Sequence, residues 1–152
     1  MPHVHGSPAA RHRGRLVAVF GLTLGSTRAH IVRAALEGVV NQTCELQRAF
    51  AADGVKWSKL RIDGGMAAND FLAQDLADML GLTVERPANV ESSALGAAML
   101  AGVGAGLWRT LGDAAAAMRP EVTCFEPRPI DSATRMEAWD RAVSAVKAVD
   151  EG

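Results

Sequence analysis

Leu60-Arg61-Ile62-Asp63-Gly64-Gly65-Met66-Ala67-Ala68-Asn69-Asp70 is the stretch that decides the fold. A short apolar and basic run suited to a strand meets two glycines. A residue suited to capping a helix follows four positions after the second glycine. Strand, tight turn and helix start together read as one unit of an alternating α/β chain. Beyond the turn, Leu72, Leu76, Met79 and Leu80 recur at helical spacing. They predict a helix capped by Asn69, packed through those four side chains and ended by Gly81. Thr83 to Arg86 then predicts a strand stopped by Pro87.

Toward the N-terminus, Leu16 to Phe20 is a continuous apolar run ended by Gly21, which suits a strand buried on both faces. Ser26 or Thr27 offers a hydroxyl to cap a long helix. In that helix Val32, Leu36, Val39, Thr43, Leu46 and Phe50 form an apolar stripe, with Arg33, Glu37, Asn41, Glu45 and Arg48 on the other side. It should fade near Asp53-Gly54. Toward the C-terminus, Ser92 or Ser93 predicts the cap of a helix from about Ala94. Its Gly96, Gly102, Gly104 and Gly106 are poor helix formers and call for close packing against a neighbour. Residues 120–129 predict a loop with little regular structure. Asp131 or Ser132 starts a last helix with Met136, Trp139, Val143 and Val146 on one face. The whole predicts an α/β fold with largely parallel strands, a βαβαβα core with a C-terminal helix. Residues 1–15 show no period and predict a disordered lead-in. Its His3, His5 and His12 lack the further spacing of a metal site.

The chain has 152 residues and 16.0 kDa, the size of one domain or of part of a larger enzyme. Its 16 basic and 17 acidic residues give a net charge of -1, which argues against a nucleic acid partner. A composition of 49% hydrophobic and 22% charged residues is globular. Two cysteines make no disulfide framework. Leu95 to Trp108, the longest apolar run, is too short and too rich in glycine to cross a membrane. Basic residues before Leu16 resemble a secretion signal only faintly, and no cleavage site follows, so a cytoplasmic location is expected.

The Gly64-Gly65 turn lets a planar or phosphorylated ligand approach the backbone, and the helix N-terminus after it suits phosphate. The same glycines serve equally well in a tight turn with no ligand. There is no P-loop motif, and Gly102-Val103-Gly104-Ala105-Gly106 lacks the spacing and the preceding strand of a dinucleotide fingerprint. No nucleophile elbow is present. Cys44 reads as core, His30 as a capping or packing residue, and Asp63 as a turn former. No catalytic residue and no metal ligand is assigned.

Five ordered segments resemble one family. Gly21 to Gly38 resembles the second signature of the FGGY carbohydrate kinases, in their glycerol kinase branch. Leu60 to Gln74 is similar to that branch's adenosine-binding segment. Val84-Glu85-Arg86-Pro87, Ser93 to Ala98, and Gly106-Leu107-Trp108 continue in the same order. Leu24 departs from the basic residue common at its place, and Val17 from the small residue expected there. The resemblance implies an RNase H-like domain of the actin/hexokinase ATPase type. It would be the C-terminal domain of such a kinase over residues 16–150, incomplete at its N-terminal side. It implies ATP and Mg2+ as cofactors, and glycerol or a related polyol as acceptor in the intact enzyme. Oligomers are common among such kinases. Gly65 and Asn69 would contact the adenine nucleotide, with Gly64 shaping the turn. Nothing matches the half in which the family carries its polyol-binding residues, its aspartate base and its first phosphate loop. The chain by itself is therefore expected not to be catalytic. The alternative is a non-enzymatic nucleotide-binding or interaction remnant of a kinase, or a product with no ligand.

Overall fold

The computed structural model describes residues 18–88 and 92–150. The order is α1 (Arg28–Ala52), β1 (Leu60–Arg61), a 3₁₀ turn (Gly65–Ala68), α2 (Asp70–Leu80), β2 (Val84–Pro87), α3 (Ser92–Gly104), α4 (Leu111–Ala117), β3 (Val122–Phe125) and α5 (Ser132–Asp150). The strands form one sheet in the order β1-β2-β3. β1 and β2 are parallel, with Leu60 beside Val84. β2 and β3 are antiparallel, with Val84 beside Phe125 and Arg86 beside Thr123.

Side chains in register share a face of the sheet. Leu60, Val84 and Phe125 face the core built with α1, α2 and α5, where Val40, Cys44, Leu72, Leu76, Leu80 and Met136 are buried. Arg61 and Glu85 face the other way. There Glu85 accepts from Lys59 at 2.7 Å and from Arg61 at 2.9 Å. Leu95 and Met99 of α3 and Ala115 and Ala116 of α4 border a cavity of about 680 Å³ on that face.

The local signals around α2 act as expected. Asn69 caps it, with Oδ1 accepting from the Leu72 N–H at 3.1 Å. Gly81 closes it in the left-handed conformation at φ +64°. Thr27 is the N-cap of α1, and Asp131 Oδ1 accepts from the Thr134 N–H at 3.1 Å at the start of α5.

Four expectations need correction. The first strand, at 16–20, is not formed in its described part: Ala18 to Phe20 are irregular and exposed. A strand exists by pairing its backbone, and among the described residues no strand runs beside this segment. Leu16, Val17 and the lead-in lie outside the described residues. Second, residues 120–129 are not all loop, because Val122-Thr123-Cys124-Phe125 forms β3. Its β-branched and aromatic residues favour a strand, and Pro120, Pro127 and Pro129 lie outside it, where they remove no ladder bond. The sheet is therefore mixed rather than largely parallel, and α4 was not anticipated.

Third, the buried side of α1 is not the apolar stripe. Val32, Val39, Leu46 and Phe50 are exposed, while Val40, Asn41 and Cys44 are buried. The reason is a polar fastening. Arg135 of α5 donates to both oxygens of Asp75 at 2.7 and 2.8 Å and to Asn41 Oδ1 at 3.0 Å. Gln47 donates to the Leu80 carbonyl at 3.2 Å. Asn41, placed outside by pattern alone, thus turns inward and is paired there. Fourth, close packing accounts for Gly102, where an added Cβ would overlap the Trp108 ring, but not for Gly96 or Gly104, which have nothing within 4 Å.

Arg128 makes a second fastening, donating to Asp78 Oδ2 from Nη2 at 2.6 Å and to Oδ1 from its backbone N–H at 2.8 Å. Burial works to raise the Asp78 carboxyl, but Arg128 and Gln74 donate to it and hold it below the usual carboxylate range.

Candidate functional site

The turn between β1 and α2 is built from fixed parts. The Ile62 N–H donates to the Glu85 carbonyl at 3.0 Å, which carries the sheet to the turn's edge. Asp63 Oδ1 accepts from the Gly64 N–H at 2.7 Å. Gly64 then takes φ +86°, ψ 173°, a conformation that is essentially glycine's alone. The chain tightens into the 3₁₀ turn, where the Ala67 N–H donates to the Gly64 carbonyl at 2.9 Å and the Asn69 N–H to the Met66 carbonyl at 3.1 Å. Ala67 is buried, while Gly65 and Asn69 are exposed. A Cβ placed on Gly64 or Gly65 would meet nothing within 4 Å. The floor of the turn is thus packed and its outer surface is open to a ligand's approach.

The three residues expected to serve a nucleotide, Gly64, Gly65 and Asn69, lie in this one turn. Beside it Val39, Thr43, Ile62, Asp63, Met66 and Leu72 border a cavity of about 280 Å³. Asp70 stands in the first turn of α2, the end at which the helix dipole favours anions. The arrangement can receive a ligand against bare backbone with a helix terminus beside it.

Other candidates resolve as structural. Cys44 is buried, and burial pushes its thiol up even though Arg135 and Arg48 pull it down. It packs as core. His30 is a capping residue, its Nδ1 accepting from the Thr27 N–H at 3.1 Å. Asp63 holds the turn. Among the described residues no group of three or more His, Cys, Asp or Glu could hold a metal ion. No helix among them is long and apolar enough to cross a membrane.

The residue that the sequence reading missed is Arg86. Its Nη1 donates to the Ala67 carbonyl at 3.1 Å and to Asp70 Oδ1 at 2.7 Å. The available signal was its position, two residues after Val84 and so on the same, inward face of β2.

Comparisons with known proteins bear on this site. The profile of the FGGY family of carbohydrate kinases, C-terminal domain, matches residues 2–105. The glycerol kinase of Gluconobacter oxydans (strain 621H) is 50% identical over 128 residues, 82% of this chain and 25% of that enzyme. The glycerol kinase of Bordetella parapertussis is 48% identical over 146 residues, 94% of this chain and 28% of that enzyme. Among solved structures, Plasmodium falciparum glycerol kinase with ADP superposes with a TM-score of 0.70 at 31% identity, over 85% of this chain and 26% of that one. Gluconate kinase from Lactobacillus acidophilus superposes at 0.62 over 86% of this chain and 26% of its own, at 21% identity, a likeness of fold alone. The chain spans about a quarter of the length of the curated relatives it matches.

Proposed function

From the premise that this chain belongs to the FGGY family of carbohydrate kinases, with the mixed α/β, actin/hexokinase-like fold of that family's C-terminal domain, we propose that it supplies the adenine nucleotide site of a glycerol kinase-like enzyme. Residues 16–150 act as part of that domain, in a reduced, cytoplasmic setting. Gly65 and Asn69 contact the nucleotide, and Gly64 holds the turn open for it. The observation that carries this reading is the open turn itself. Gly64 sits in a glycine-only conformation, nothing lies above Gly65, and Asn69 caps the helix that follows. The Plasmodium glycerol kinase, similar over most of this chain, was solved with ADP.

In this reading ATP would be the phosphoryl donor, and Mg2+ would offset the charge of its phosphates. The chain's own residues bind and orient. Bare backbone at Gly65 admits the ligand, and the α2 terminus attracts negative charge. The acceptor, glycerol or a related polyol, belongs to the enzyme as a whole.

Calorimetry with ADP tests the reading. We expect saturable binding to the chain, weakened in Asn69→Asp. That variant keeps the oxygen that caps Leu72, replaces the amide donor and adds negative charge. A flat titration with folded protein would sink the proposal in favour of a remnant with no nucleotide.

A further inference from the structure

Arg86 reaches the turn from beneath. Its strand position places it on the same face as Val84 and Phe125. The guanidinium lies over the Phe125 ring, 5.0 Å from the centroid, and the side chain is only 18% exposed. From there Nη1 serves both the Ala67 carbonyl and Asp70. Ala67 is buried at the middle of the 3₁₀ turn, and a buried carbonyl needs a donor. Arg86 supplies it. The Asp70 side chain is 79% exposed, so that ion pair taken singly contributes little. What the guanidinium fixes is the backbone of the turn. Its planar fork, stacked on an aromatic ring, defines a direction that a lysine ammonium does not.

We infer that Arg86 is a positioning residue for nucleotide binding. It ties β3, through Phe125, to the carbonyl between Gly65 and Asn69 and to the first residue of α2, and so sets the turn that presents Gly65 and Asn69. This rests on the nucleotide reading proposed above. Arg86 touches no ligand itself. It acts through the peptide at Ala67.

The test uses the full chain as wild type, R86M, R86K and D70A. Backbone amide spectra, amide hydrogen exchange and an ADP titration are recorded on each. R86M keeps an apolar stem against Phe125 and removes the donors. Its amides from Met66 to Asn69 should exchange faster while those of α1 and α5 stay unchanged. ADP affinity should fall roughly tenfold, the scale of one lost hydrogen bond from a charged donor. R86K should recover part of the loss, and D70A should stay within about twofold of wild type because the Asp70 carboxylate is itself so exposed that its ion pair with Arg86 contributes little. A merely structural role would instead speed exchange through the whole core. If wild type and R86M bind ADP equally, the positioning role is overturned and the nucleotide reading stands. An R86K chain with wild-type affinity overturns it too, even where R86M fails to fold. If ADP moves no amide of the wild-type turn, the nucleotide reading falls and the inference falls with it.

Discussion

Gly64 and Gly65 are neighbours with different tasks, and single substitutions separate them. Gly64 holds φ +86°, ψ 173°, while Gly65 carries no positive φ, and an added Cβ meets open space at both. The penalty for Gly64→Ala is therefore one of backbone alone, about 2 kcal/mol. In a chain of this size that lowers Tm by about 6 °C. Gly65→Ala should leave Tm within about 1 °C, since surface changes away from special geometry are close to neutral. Thermal melts of the two variants check this, and a matching loss in both would show that the turn is strained at Gly65 as well. The sequence made this turn legible because two adjacent glycines and a capping Asn leave few local alternatives. It did not reveal Arg86, because its role comes from the sheet register, which brings a distant residue beneath the turn.

At the scale of elements, α5 is docked by charge as much as by apolar area. Met136 is buried and Trp139 half-buried, as the helical spacing foretold. The Arg135 contacts to Asp75 and Asn41 were not foretold, since a charged residue is placed on the solvent side by pattern reasoning. The same omission misassigned the inner face of α1. β3 escaped notice because flanking prolines outweighed four residues of strand-forming type. Arg135→Met leaves Asp75 buried without its cation, and should cost about 3 kcal/mol. Asp75→Leu combined with Arg135→Met removes both charges, and should recover most of that loss, because a well-packed apolar pair can match a buried ion pair. Denaturant midpoints of the two singles and the double give the coupling directly. Additive losses would mean that the pair does not couple α5 to α2.

At the scale of the whole molecule, the question is how much of a phosphoryl transfer this chain can perform. The reaction needs the nucleotide, its metal and the acceptor hydroxyl held together in line, because catalysis here is mostly positioning and charge stabilisation. The described residues offer an open turn, which in the proposed reading receives the nucleotide. The carboxylates beside it are committed: Asp63 accepts from Gly64, and Asp70 pairs with Arg86. Buried Asp75 and Asp78 are each paired with an arginine. The relatives that match this region are about four times as long as the portion it covers. The chain with Mg-ATP and glycerol should therefore show no turnover above a protein-free blank in a coupled ADP assay. Adding a polypeptide that carries the rest of a related glycerol kinase, its preceding domain together with the start of this one, should restore measurable turnover. Asn69→Asp in this chain should then lower it, because in the proposed reading this chain supplies the nucleotide contact in that pairing. Turnover by the chain with no addition would place a general base within these residues and overturn the division of labour argued here.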